Sequence, residues 1–189
     1  MLTQEQIQSN KLKYIELLSK LNVDLTDFIF YLESVDFFNK PATAQYFKAY
    51  RGGLCQQALD LYFELGQLAN AYKPGVYTQE DIIKVALLKG IYKAEMYEEY
   101  NRNIKNEETN KWESVKAYRI KENRAVYGEV SFSSYMIAKR FFNLSDEQIE
   151  AICYATIKEL PTPDIHEVRR AYPLVALTAM AEIASQYLN

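Results

Sequence analysis

Apolar residues recur every three or four positions along most of the chain, which is the spacing of one face of an α-helix. This spacing predicts a helix over about 53–71 and a shorter helix over 25–32, which ends before Asp36. The positions that carry the longer pattern are Leu54, Ala58, Leu61, Tyr62 and Leu65.

Capping residues mark three further helix starts. Thr3 is followed three residues later by Gln6, and Ser145 by Gln148, which is the spacing of a capping box. Thr78 precedes a first turn with two acidic residues, which the helix dipole favours. These caps predict helices at about 4–20, 79–92 and 146–158, the first within an N-terminal helical segment that spans residues 1–22.

The C-terminal segment 164–188 is rich in Ala, Leu and Met, and Pro173 interrupts it early. It predicts a short helix followed by a long buried helix that its neighbours can approach closely, because many of its side chains are small. The small residues are Ala171, Ala176, Ala179, Ala181 and Ala184.

Residues 97–120 do not have the helical pattern. Poor helix formers in their first half precede residues that suit a pleated surface, such as Trp112 and Val115. We expect a small β-hairpin that turns near residues 108–110. The predicted fold class is therefore mainly α: a single domain over residues 1–189 with one small hairpin as an insertion.

Composition indicates an ordinary soluble protein, since 49% of the 189 residues are apolar and 25% are charged. No apolar run approaches the roughly 20 residues that span a bilayer, and the first residues lack the pattern of a signal peptide. We therefore expect a cytoplasmic protein that does not act at a membrane. Cys55 and Cys153 lie in apolar-periodic segments without CxxC spacing, which predicts reduced, buried thiols.

The formal charge of −3 gives no broad reason to bind nucleic acid. One basic stretch, residues 102–124, has seven Lys and Arg against four Glu. A solvated hairpin explains that local excess.

The string DFFNKPATAQYFKAYRGGL at residues 36–54 resembles a block of phage-encoded HD-domain hydrolases that reads DFFxAPASxxYHxxYxGGL. Four later segments resemble further motifs of this family in the same order. They are 85–93 (its ALLHDxxK helix), 103–113 (its NxKN…W hairpin), 128–131 (its GHGExS turn) and 172–188 (its YPL…AD…YL helix). The resemblance implies an HD-domain-like helical bundle.

Members of that family hold divalent metal ions with imidazoles and carboxylates, and a metal-bound water attacks phosphorus. The resemblance implies metal ligands at seven positions, and this chain has no imidazole at any of them. The residues found there are Phe47, Gln57, Lys89, Gly90, Tyr127, Tyr154 and Glu182. The only histidine, His166, lies elsewhere and is expected at a helix start. We therefore expect a pseudoenzyme with no metal and no cofactor.

The replacements suggest what occupies the former site. Lys89 and Glu182 would stand where the family's ligands converge, so the ammonium could neutralise the carboxylate in place of a metal. A short contact between the two side chains is the expected result. Phe47, Tyr127 and Tyr154 would fill the volume of the lost ligands and plug the pocket.

Three functions are weighed for such a chain, of which the first two do not require catalysis. The first is a protein-binding, regulatory or structural role in a protein of phage origin, a virion component being one version, either by self-association or with another protein. The sixteen Tyr and nine Phe favour interfaces. The alternative is a nucleotide or phosphate binder without hydrolysis, with Arg51, Lys89, Lys93 and Lys105 around one mouth.

A third function, residual metal-dependent phosphohydrolysis, would depend on Glu182 holding magnesium with waters. A Ser-His-Asp or Cys-His mechanism has no support in the sequence, because His166 has no identifiable partner.

Overall fold

A computed structural model describes residues 1–122, 130–155 and 164–188 of the chain. It is mainly helical, with one two-stranded antiparallel sheet among these residues. In chain order the elements are α1 (Gln4–Ser19), α2 (Thr26–Ser34), a 3₁₀ turn (Phe37–Asn39), α3 (Gly53–Tyr72), α4 (Gln79–Leu88), α5 (Lys93–Met96), β1 (Tyr97–Lys105), β2 (Trp112–Ile120), α6 (Val130–Ala138), α7 (Asp146–Tyr154), α8 (Asp164–Ala171) and α9 (Pro173–Tyr187).

The three predicted capping sites are confirmed. The hydroxyls of Thr3 and Ser145 accept from backbone N–H groups three residues later, and the glutamine side chains there accept in return. At Thr78 the reciprocal partner is Asp81, whose carboxylate accepts from the Thr78 backbone N–H at 2.8 Å. Each cap satisfies amide groups that a helix start leaves without a partner.

Two parts of the helix pattern differ from expectation. The helix that begins after Thr78 ends at Leu88, and residues 89–92 form tight turns before α5, since Gly90 is a poor helix former. Helix α6 was not predicted, because its serines obscure the apolar spacing. The helix predicted at 146–158 is present as α7, which ends at Tyr154. Residues 156–158 lie outside the described residues.

Two apolar clusters form the core, and α3 lies between them. The first joins α1, α2, the 3₁₀ turn, α3 and α4 to α6 and α7, and is rich in aromatic rings such as Tyr14, Phe28 and Phe37. The second joins α3 and α4 to α7 and α9 around Leu65 and Val175. Because α3 packs against both α4 and α9, side chains on its buried face meet residues from both helices.

The hairpin is confirmed. Its strands pair from Tyr97 with Ile120 to Lys105 with Trp112, and the chain turns at residues 106–111. Ion pairs Lys116–Glu99 and Arg119–Glu98 cross between the strands at exposed positions. The local excess of basic residues is thus mainly a solvated surface of the hairpin.

The thiols of Cys55 and Cys153 are buried and free, as predicted. Burial raises the pKa of Cys55 to about 12 and that of Cys153 to about 11, so neither is an activated nucleophile. His166 is exposed near the start of α8, which confirms its expected place. None of the described helices combines the length and the hydropathy that crossing a bilayer requires.

Candidate functional site

A cavity of about 190 Å³ lies among α3, α4 with the turn that follows it, and α9. We call it the central cavity. Its described lining is Phe37, Leu54, Gln57, Ala58, Leu61, Ala86, Leu87, Lys89, Gly90, Lys93, Val130 and Glu182.

Helix α3 supplies one wall. Leu54, Gln57, Ala58 and Leu61 follow one another at helical spacing and line the cavity from one face of the helix. Gln57 is a buried polar residue in this otherwise apolar stripe. The family resemblance singled out Gln57 and Glu182, and a polar residue within an apolar helix face is a second sequence signal that both share.

The turn after α4 supplies two lysines. Lys89 caps α4, is almost fully buried, and donates from Nζ to the carbonyl oxygen of Ile152 at 3.2 Å. Tight turns through Gly90 then place Lys93 on the same cavity, where its Nζ donates to Oε1 of Gln57 at 3.2 Å. The two lysines and the amide of Gln57 therefore meet at one place.

Helix α9 brings Glu182 to Lys89. Oε2 of Glu182 lies 3.8 Å from Nζ of Lys89, and both side chains are buried. The expected contact is therefore present, as an ion pair longer than a hydrogen bond. Burial lowers the pKa of Lys89, and the negative charge of Glu182 opposes that shift.

The pKa of Lys93 is also lowered. Its first cause is again burial, which disfavours the charged amine. Glu182 acts in the opposite direction, whereas the positive charge of Lys89 lowers the pKa of Lys93 further. The three side chains thus form one coupled group.

Four of the seven positions that the family resemblance singled out line this cavity: Gln57, Lys89, Gly90 and Glu182. Tyr127 lies outside the described residues. Phe47 and Tyr154 are not among the described lining residues, so the expected plugging by these two rings is wrong.

The positions of the two rings explain why the space remains. The backbone of Phe47 is tied to the Thr43 hydroxyl on the segment before α3, and Nζ of Lys48 lies 4.2 Å from the centre of its ring. Tyr154 is half-buried on α7, where it packs against the second core cluster.

Two of the four candidate phosphate-binding cations lie elsewhere. Arg51 is exposed and donates from Nε to Oδ1 of Asn39 at 3.0 Å. Lys105 is exposed at the far end of β1, eight residues or roughly 26 Å along the strand from Tyr97. The cations at the cavity are Lys89 and Lys93 among the residues described.

The side chains at the cavity do not suit a divalent ion. Among the described lining residues, one carboxylate and one amide stand beside two ammonium groups, which repel a cation. Within 1–122, 130–155 and 164–188, no cluster of three or more His, Cys, Asp or Glu could hold a metal.

Comparison of the chain with models of protein families, with curated proteins and with solved structures gives no match.

The Lys89–Glu182 contact predicts energetic coupling. Lys89→Met leaves the Glu182 carboxylate buried without this cation and should destabilise the protein by about 3 kcal/mol, whereas Lys89→Met/Glu182→Leu should recover part of the loss. Urea unfolding of the wild type, both single variants and the double variant should give a coupling energy of about 1 kcal/mol or more. Additive effects of the two substitutions would show that the contact contributes nothing.

Proposed function

We propose that the protein is a catalytically inactive relative of the phage HD-domain hydrolases that binds a small molecule in the central cavity without hydrolysing it. The observation that carries this proposal is the cavity itself. Its apolar walls surround a few convergent polar groups, which is the usual composition of a ligand site.

The placement of the four aligned positions supports the link to the HD family. Gln57, Lys89, Gly90 and Glu182 come from α3, the turn after α4, and α9, and are separated by up to 125 residues of sequence. The gathering of positions so far apart in sequence around one cavity is what the resemblance leads us to expect.

The chemistry of the lining supports binding rather than hydrolysis. The proposed ancestral reaction needs a metal-activated water, and the cavity presents the ammonium group of Lys89 where one of the ligands would stand. Lys89, Lys93 and Gln57 offer hydrogen-bond donors, and Glu182 and Gln57 offer acceptors. Such a set can orient a ligand, but it supplies no activated nucleophile for phosphorus.

Restoring the ligands tests the family assignment. The variant Gln57→His/Lys89→His/Gly90→Asp/Glu182→Asp should bind one Mn²⁺ or Zn²⁺ about tenfold or more tightly than the wild type in isothermal titration calorimetry. The matched control, Lys89→Gln/Gly90→Asn/Glu182→Asn, keeps Gln57 and places an amide at each of the four positions. A folded His/Asp variant that binds metal no better than this control would refute the correspondence of the four positions.

A cavity-filling substitution tests the binding function. Ala58 lines the central cavity, whereas Ala71 is exposed on the same helix. In ligand-observed NMR with a library of neutral and charged fragments and nucleotides, Ala58→Leu should weaken binding by about tenfold or more, and Ala71→Leu should not. The proposal fails if no fragment binds the wild type, or if Ala58→Leu leaves every affinity unchanged.

A protein-binding role is the second candidate, because one face of α9 is exposed and apolar. Met180, Ile183 and Tyr187 lie on this face at helical spacing and are 42, 60 and 76% exposed. Such a stripe is typical of a helix that packs against another protein. We favour self-association, since two copies of one apolar helix face can pack against each other about a twofold axis.

Light scattering on a sizing column tests self-association. The wild type should elute as a dimer, and Ile183→Glu should make it monomeric, because the charge would be buried between the two helices. Phe30→Glu is the control, since Phe30 is an equally apolar, 75% exposed residue that belongs to α2 rather than to α9. It should leave the dimer intact. A monomeric wild type at every concentration would exclude self-association through this face.

A further inference from the structure

Lys93 has one polar partner among the described residues. Its Nζ donates to Oε1 of Gln57, a neutral acceptor, whereas Lys89 lies near the Glu182 carboxylate. A lysine ammonium has three N–H donors, so Lys93 retains donor capacity at the cavity wall. The side chain is half-buried, and it lines the cavity.

The described lining carries unequal charge. It holds the two amines of Lys89 and Lys93 and the single carboxylate of Glu182, so its net charge is +1 when both amines are protonated. Burial lowers the pKa of Lys93 because an uncompensated charge in a poorly solvated cavity is unfavourable. One negative charge from a ligand would remove that penalty.

The size of the cavity limits the ligand. Its volume of about 190 Å³ is somewhat larger than an engineered protein cavity of about 150 Å³ that binds benzene. A group about as large as one phenyl ring therefore fits against the walls formed by Leu61, Ala86 and Val130. A whole nucleotide is several times larger and cannot be enclosed.

We propose that the central cavity binds a small organic monocarboxylate, with its carboxylate held by Lys93 and Gln57 and its apolar part against the walls of α3 and α4. This inference deepens the proposed function and rests on it, because both concern the same cavity. A carboxylate carries the single negative charge that the described lining lacks. A phosphate monoester carries about −1.5 to −2 near neutral pH and would overcompensate it.

Binding should couple to a proton. The carboxylate stabilises the protonated amine, so it raises the pKa of Lys93 from its lowered value in the unliganded protein. Binding therefore takes up protons at pH values between these two pKa values. The affinity is highest below the pKa of the unliganded protein and falls as the pH rises through it.

Calorimetric titration of the full chain with benzoate, benzamide, phenyl phosphate and adenosine monophosphate tests the inference. Benzoate should bind about tenfold or more tightly than its neutral isostere benzamide, since a charge-assisted hydrogen bond is stronger than a neutral one. Phenyl phosphate and the nucleotide should bind more weakly than benzoate. Repetition in two buffers of different ionisation enthalpy should reveal proton uptake with benzoate.

Variants locate the contact. Lys93→Met and Lys93→Gln should each lower the affinity for benzoate by about tenfold or more while leaving benzamide nearly unchanged. Lys13→Met, at an exposed position on α1, should alter neither. The comparison of benzoate with benzamide on the wild type needs no variant, so the test survives if the Lys93 variants fail to fold.

The outcomes separate the two proposals. Equal binding of benzoate and benzamide would overturn the carboxylate inference and leave the binding function intact. Tighter binding of phenyl phosphate or of the nucleotide would overturn the inference in favour of a phosphate ligand. Failure of every probe and of the fragment library would overturn both proposals.

Discussion

The buried contact between Lys89 and Glu182 is the interaction on which the rest of the site depends. It joins the turn after α4 to α9 across the central cavity, and Nζ of Lys89 also holds the Ile152 carbonyl on α7. An unpaired buried charge costs several kcal/mol, so neither side chain could stay inside without a partner. The side chain of Lys89 thereby links the turn after α4 to both α7 and α9.

Lys93 extends this constraint. Its amine is coupled to both members of the pair, and its hydrogen bond to Gln57 adds α3 to the group. The site is therefore polar where the four segments meet and apolar elsewhere. Because the described lining carries one more positive than negative charge when both lysines are protonated, an anion is the kind of ligand that this arrangement favours.

The family resemblance and the geometry bear on different parts of the proposal. The resemblance selects positions along the chain, and four of them gather at the cavity. The geometry bears on the chemistry that we propose, since the described lining offers hydrogen-bond donors, acceptors and charge to a ligand. A fold that lost its ligands in this way could keep a place for a small molecule, since function depends on the site more than on the fold.

Local sequence determined most of the helices and the hairpin. The caps at Thr3, Thr78 and Ser145 fix helix starts through hydrogen bonds within one turn, and such short-range signals can be read directly. Helix α6 escaped prediction because its position in the core, rather than its own spacing, stabilises it.

The pairing of Lys89 with Glu182 was predicted through the resemblance. The central cavity beside them was not predicted, because a plugged pocket was expected. Phe47 and Tyr154 are large enough to fill the cavity, but a residue type does not say which way its ring packs. That direction depends on contacts far apart in sequence, such as the hydrogen bond from Nζ of Lys48, beside Phe47, to the carbonyl oxygen of Ser185 on α9. Sequence alone thus indicated that Lys89 and Glu182 meet in the interior, and tertiary packing decided that a cavity remains beside them, because the directions in which large rings pack depend on contacts between distant segments.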